Sequence, residues 1–146
     1  MKIERALEYG GWSPAMRGLN KVMIIGQVGR DPEMRFTPNG RPVTTFPVAT
    51  TRTWVASNGD RREETEWFNV VAWGGLAEVC KQRLRKGMYV YVEGRLQTRG
   101  WEDAEGRRHY RTELVANEMI LLGEGRAAAP AFEEEQEEET AEEFPF

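Results

Sequence analysis

Between Leu19 and Gly123 the apolar residues follow the two-residue period of strands, and one stretch alone departs from it. Leu76, Val79, Cys80, Arg83 and Leu84 fall at i, i+3, i+4, i+7 and i+8, the spacing of one helix face, and Gly87 stands where such a helix would end. Around that helix the strands are marked out by turn signals. Val22 to Val28 is a β-rich run closed by Gly29-Arg30-Asp31-Pro32, and Thr37-Pro38-Asn39-Gly40 precedes a strand from Val43 to Arg52. Pro47 interrupts this last run; it cannot donate to a ladder, so the pattern predicts an edge position or a bulge there. Ser57-Asn58-Gly59-Asp60 makes a hairpin tip before the strand from Thr65 to Trp73. After the helix, Met88, Val90, Val92 and Leu96 alternate with Tyr89, Tyr91, Glu93 and Arg95, and a second tip at Asp103-Ala104-Glu105-Gly106 leads to a strand from His109 to Ile120.

Three strands, one short helix and two strands, with long hairpin tips near residues 58 and 105, is an all-β order. It is the order of an OB-fold, a five-stranded, partly open Greek-key barrel that binds oligonucleotides or oligosaccharides. The strand Glu66-Trp67-Phe68-Asn69-Val70-Val71-Ala72-Trp73 says which face is which. Phe68, Val70 and Ala72 share one face, and Trp67, Asn69, Val71 and Trp73 the other. A small barrel cannot hold both sets, so the smaller residues fill it and the tryptophans look outward, ~20 Å apart at roughly 3.3 Å per residue. Trp54 and Trp101 lie beside the two tips among polar residues. Exposed indoles interleaved with arginines suit a single-stranded nucleic acid, because every base has a π-face and guanidinium groups grip phosphate. Packing against a partner subunit or under a loop is the other use of such rings.

Charge divides the chain. Residues 18–126 hold 17 Lys+Arg against 14 Asp+Glu, whereas the last fourteen residues carry eight glutamates and finish on Phe144-Pro145-Phe146. The overall charge of −4 therefore conceals a mildly basic domain whose only lysines are Lys21, Lys81 and Lys86. The segment from residue 124 on, Ala-rich and then Glu-rich, has too little apolar surface to order itself. As a flexible coil it spans on the order of 27 Å root-mean-square. Its terminal aromatic rings read as a ligand for a pocket on other proteins, carried by a body that binds something else.

Six ordered motifs carry a resemblance. Arg17-Gly18-Leu19-Asn20-Lys21-Val22, Asp31-Pro32-Glu33-Met34-Arg35-Phe36, Thr65-Glu66-Trp67, Leu76-Ala77-Glu78, Leu84-Arg85-Lys86-Gly87 and Val92-Glu93-Gly94 resemble, in sequence and spacing, the bacterial single-stranded DNA-binding protein family. The likeness covers residues 17–123 and the C-terminal tip. It implies a homotetramer of OB-folds that wraps single-stranded DNA and serves replication, recombination and repair. It also implies base stacking by Trp54, Trp67, Trp73 and Trp101, and phosphate contacts by Arg17, Lys21, Arg35, Lys86 and Arg99. Glu142, Glu143, Phe144, Pro145 and Phe146 match the family's partner-recruiting tip, with Glu for Asp and Phe144 for Ile. Other departures are Gly75 where relatives often have lysine, Asn69 where some have arginine, Trp73 where phenylalanine is frequent, and a short linker. The domain reading is an extension at 1–16, a DNA-binding barrel at 17–123, an acidic linker at 124–141 and an interaction tip at 142–146. Met16-Arg17-Gly18 resembles a family start, so residues 1–15 read as a misassigned initiation or as an extension in which Trp12 makes a contact.

Several features weigh against other functions. No apolar run approaches the roughly 20 residues of a membrane span, and residues 1–17 resemble neither a secretory signal nor a transit peptide. Cys80 is the single cysteine and His109 the single histidine, so neither a disulfide nor a zinc cluster is expected, and no cofactor. The expected compartment is the cytoplasm, in association with the nucleoid. Cys80 reads as a core residue, His109 as neither catalytic nor metal-binding, and Asp31 and Glu33 as structural. Tyr89 and Tyr91 suit sheet packing or a subunit interface, with an extended stacking surface as the alternative. An enzyme would need a carboxylate cluster or a His pair that the chain lacks. An accessory OB-fold module, primosomal or RNA-binding, explains the barrel but not the Phe-Pro-Phe ending.

Overall fold

The computed structural model describes residues 18–125; Arg17, Trp12 and the acidic segment lie outside the described residues. The elements run β1 (Val22–Val28), β2 (Glu33–Phe36), β3 (Pro42–Val55), β4 (Arg61–Trp73), α1 (Gly75–Arg83), β5 (Met88–Glu102) and β6 (Arg108–Glu124). β2 is a strand that the turn signals hid. Its four residues lie between two turns, pair with β3 alone and bury almost nothing, so no apolar alternation marks them.

The sheet order is β1-β5-β6-β4-β3-β2, and β1 also pairs with β3, so five strands form a closed ring and β2 lies on its flank. Two short contacts close it. Gln27 and Val28 pair antiparallel with Ala49 and Val48, and Val70 and Val71 pair in parallel with Leu114 and Val115. The core lies inside this ring, where Val28, Phe46, Val48, Val70, Val90, Val92 and Leu114 are almost wholly buried. The inward face of β4 is thus Phe68, Val70 and Ala72, as the alternation predicts. At Gly94 a Cβ atom would overlap the Val115 carbonyl oxygen, so only glycine lets β5 pass so close to β6 where the register shifts.

Pro47 sits neither at an outer edge nor on a bulge. β2 pairs with residues 42–45 of β3 and β1 with residues 48 and 49, so Pro47 occupies the gap between two partners. Its carbonyl accepts the Gly29 N–H at 2.9 Å, and its absent N–H would face the same gap. A ladder donor is not needed there.

Helix α1 plugs one end of the ring. Ala77, Cys80 and Leu84 are buried, and the Thr44 hydroxyl donates to the Ala77 carbonyl at 2.7 Å. The helix ends at Leu84, whose N–H reaches the Cys80 carbonyl, three residues before Gly87. Gly87 instead adopts a φ of 93° and donates its N–H to the Val28 carbonyl, so it anchors the return into β5. Burial pushes the Cys80 thiol up to about 11, as befits a packing residue.

β3–β4 and β5–β6 run on past the core as two long hairpin arms. Each tip is closed by the same pair of backbone bonds, Ala56 and Asp60 with Gly59 in one, Asp103 and Arg107 with Gly106 in the other. The arms explain a departure at Leu96. It continues the apolar face of β5 yet is 42% exposed, because beyond Gly94 the strand leaves the core, while Leu114 directly across from it is 1% exposed. Leu114→Ala should therefore cost about 2–5 kcal/mol of stability in urea unfolding. Leu96→Ala should cost under about 1 kcal/mol. Equal losses would place the end of the core elsewhere.

Candidate nucleic-acid interface

The outward faces of the arms and of β4 enclose a continuous groove. One part, of ≈ 250 Å³, is lined by Arg30, Arg35, Asn69, Arg99, Arg111 and Glu113; the adjoining part, of ≈ 360 Å³, shares Arg35, Arg99 and Glu113 and adds Trp73 and Gln97. Val71, on the same outward face as Trp73, is buried as the floor. Four guanidinium groups therefore meet two carboxylates, Glu33 and Glu113, around the first part. Such a concave site favours anions.

Two of these arginines are neighbours by register. Arg99 on β5 lies directly opposite Arg111 on β6, an arrangement that like charges ordinarily disfavour. Each is drawn aside by its own acceptor. Arg99 Nε donates to Glu113 Oε1 at 3.0 Å, and Arg111 Nη2 donates to Asn69 Oδ1 at 2.7 Å. A guanidinium carries five N–H donors, so one such bond orients it without saturating it. Asn69 thus brings an arginine to its place in the groove from the next strand. Arg111, Arg30 and Asn69 were not singled out as binding residues from the sequence. A like-charged cross-strand pair could have flagged Arg111, but it requires the β5–β6 register.

The tryptophans divide by setting. Trp101 is 42% and Trp54 38% exposed. Each follows an arginine at i−2 on its own strand face, and each is covered by it, with Arg52 Cζ 4.6 Å from the Trp54 ring and Arg99 Cζ 5.6 Å from that of Trp101. Trp67 and Trp73 occupy the outward face of β4 but are half-buried rather than standing clear. A Cβ atom at Gly29 would overlap the Trp67 ring, so glycine makes room for the indole to lie against the backbone, and Arg41 Cζ approaches Trp73 at 4.7 Å. Both rings are backed by protein on one side. The register pairs Trp54 with Arg62, which shares the strand face of Phe68 and Val70 rather than that of Trp67. Trp54 therefore lies on the opposite face of its arm, and a ligand touching all four rings must pass around that arm.

Of the remaining expected phosphate contacts, Arg35 and Arg99 line the groove together, whereas Lys21 and Lys86 lie outside that lining. The Lys21 ammonium sits 2.6 Å from Glu93, whose carboxyl is held below the usual range by hydrogen bonds from Lys21 and Tyr91. The Lys86 backbone N–H donates to Asp31 Oδ1 at 2.9 Å, and Lys81 Nζ donates to the Pro32 carbonyl at 3.0 Å. Asp31 thus secures the turn before β2. A separate outward face, on β1, β5 and β6, exposes Met23, Ile25, Tyr89 and Ile120, with Tyr91 paired to both Ile25 and Ile120.

The geometry has close counterparts. Residues 19–122 match the Single-strand binding protein family. The chain is 52% identical over 108 residues, 73% of its length and 67% of the relative's, to Single-stranded DNA-binding protein 1 of Chlorobaculum tepidum. To the protein of the same name from Xylella fastidiosa it is 48% identical over 109 residues, 74% and 80% of the two lengths. Among solved structures, the Plasmodium falciparum SSB complex with ssDNA superposes with a TM-score of 0.68 at 32% identity, covering 73% of this chain and 97% of that one. A deletion mutant of the single-stranded DNA-binding protein from Thermus aquaticus gives 0.65 at 33%, covering 77% of this chain and 54% of that one.

Proposed function

The chain belongs to the single-strand binding protein family, and from this and the groove we propose that it binds single-stranded DNA with little sequence preference. The observation that carries the reading is the groove itself, in which Arg30, Arg35, Arg99 and Arg111 surround one cavity with Trp73 beside it. Phosphates meet the guanidinium groups and bases lie on the indoles, which accept any base because they read no hydrogen-bonding edge. Arg99 and Arg111 are already oriented by Glu113 and Asn69, so less ordering of these two remains to be done on binding. Replacing Trp67 or Trp101 with Ala should weaken oligo(dT) binding by about 1–3 kcal/mol for each base that loses its stack. On single strands log K should fall with log salt by about 0.7 per phosphate neutralised, and Arg99→Ala or Arg111→Ala should each flatten that slope by less than one unit. Folded tryptophan variants that bind as tightly as the parent would make the rings structural, and an unchanged slope would take the arginine off the DNA path.

The protein acts as a homotetramer in this reading. Support comes from the exposed apolar face of Met23, Ile25, Tyr89 and Ile120, which lies apart from the groove and suits a second copy of the chain. Tyr89 and Tyr91 then belong to assembly rather than to stacking. Light scattering is expected to report four chains, and a stable monomer or dimer at working concentration would exclude this assembly.

Recruitment of replication, recombination and repair proteins is assigned to residues 142–146. Phe146 offers a ring to an apolar pocket, Pro145 restrains the backbone beside it, and the glutamates steer the segment to basic surfaces. Without DNA the same glutamates compete for the arginine groove. Deleting Phe146 should therefore abolish capture of partner proteins and leave DNA affinity nearly unchanged. Deleting residues 133–146 should abolish capture and also tighten oligo(dT) binding at low salt. Undiminished capture by the Phe146 deletion would reduce the segment to a solubilising brush.

A further inference from the structure

The tip of the β5–β6 arm carries a side-chain cluster outside the groove lining, built around the Trp101 ring. Trp101 on β5 lies directly opposite His109 on β6, and the two rings stack with centroids 5.5 Å apart and planes 20° from parallel. His109 Nε2 is in turn 2.8 Å from Asp103 Oδ2. The other oxygen of the same carboxylate, Oδ1, accepts the backbone N–H groups of Glu105 and Arg107, both at 2.9 Å. One aspartate therefore closes the turn and holds the imidazole against the indole.

The hydrogen bonds fix the chemistry of the ring. Those from His109 and from the Arg107 and Glu105 backbones hold the Asp103 carboxyl below its ordinary value, so it is ionised and can only accept. Nε2 is accordingly the ring nitrogen that donates to it, which fixes the tautomer and the orientation of the imidazole under the indole.

We infer that His109 is a positioning residue for DNA: held by Asp103, it backs the Trp101 ring so that the indole is presented ready for a base. This rests on the single-strand reading above and names a residue through which it is tuned. Restricting one mobile side chain before binding is worth about two- to tenfold in affinity. The probe is oligo(dT), whose bases stack on an indole without a specific hydrogen-bonding edge being read.

The experiment titrates the full chain with oligo(dT) for the parent, His109→Ala, His109→Phe, Trp101→Ala and the Trp101→Ala/His109→Ala double variant, with thermal melts of each. His109→Phe keeps a ring under the indole, so it should match the parent within twofold. His109→Ala should bind about two- to tenfold more weakly, and that loss should vanish in the Trp101→Ala background. Loss of the same size with and without Trp101, or a His109→Phe variant as weak as His109→Ala, would overturn the inference. Absence of oligo(dT) binding by the parent itself would instead overturn the single-strand reading.

Discussion

Closure of the barrel rests on very little backbone. Two residue pairs join β1 to β3 and two join β4 to β6, and every other property of the molecule depends on these contacts holding. They hold because they coincide with the driest part of the core. Val28, Val48, Val70 and Leu114 are at the seams and are almost wholly buried, so opening either seam exposes apolar surface as well as backbone donors and acceptors. Long hairpin arms can then extend beyond the ring without a core of their own. The seam residues are thus also what aims the binding surface.

The groove is built by placing like charges where local rules would separate them. Arg99 and Arg111 face each other across β5 and β6, and only the side-chain oxygens of Glu113 and Asn69 draw them apart. An exposed ion pair such as Arg99–Glu113 contributes little to stability. Its value lies in geometry, since it sets a guanidinium at the wall of the cavity before any anion arrives. Conflict of this kind between local preference and global structure is characteristic of binding sites.

The outer surface divides into two regions by chemistry. Arginines and indoles gather in the groove and along the arms, whereas Met23, Ile25, Tyr89 and Ile120 make the face on β1, β5 and β6 mainly apolar. Glu93 and Glu118 sit opposite each other on that second face, and Lys21 neutralises the first of them rather than reaching the groove. Lysine at position 21 therefore illustrates how a basic residue can match a family motif and yet be occupied by a neighbouring carboxylate.

Periodicity and turn signals along the chain determined five of the strands, the helix between them, the two hairpin tips and the assignment of Phe68, Val70 and Ala72 to the interior. Each of these depends on residues close in sequence, so alternation and turn chemistry suffice to specify them. The family motifs likewise pointed to Arg35, Trp73 and Arg99, which the fold brings to one groove. Tertiary structure alone decided the rest. β2 has no apolar pattern of its own and exists because β3 offers it an edge. Pro47 is tolerated because two partner strands leave a gap at its position, and Leu96 is exposed because its strand outruns the core. Arg111 and His109 acquire their surroundings from residues 42 and 6 positions away, Asn69 and Asp103. Such partners are set by sheet register and turn closure, and neither is written in the spacing of hydrophobic residues.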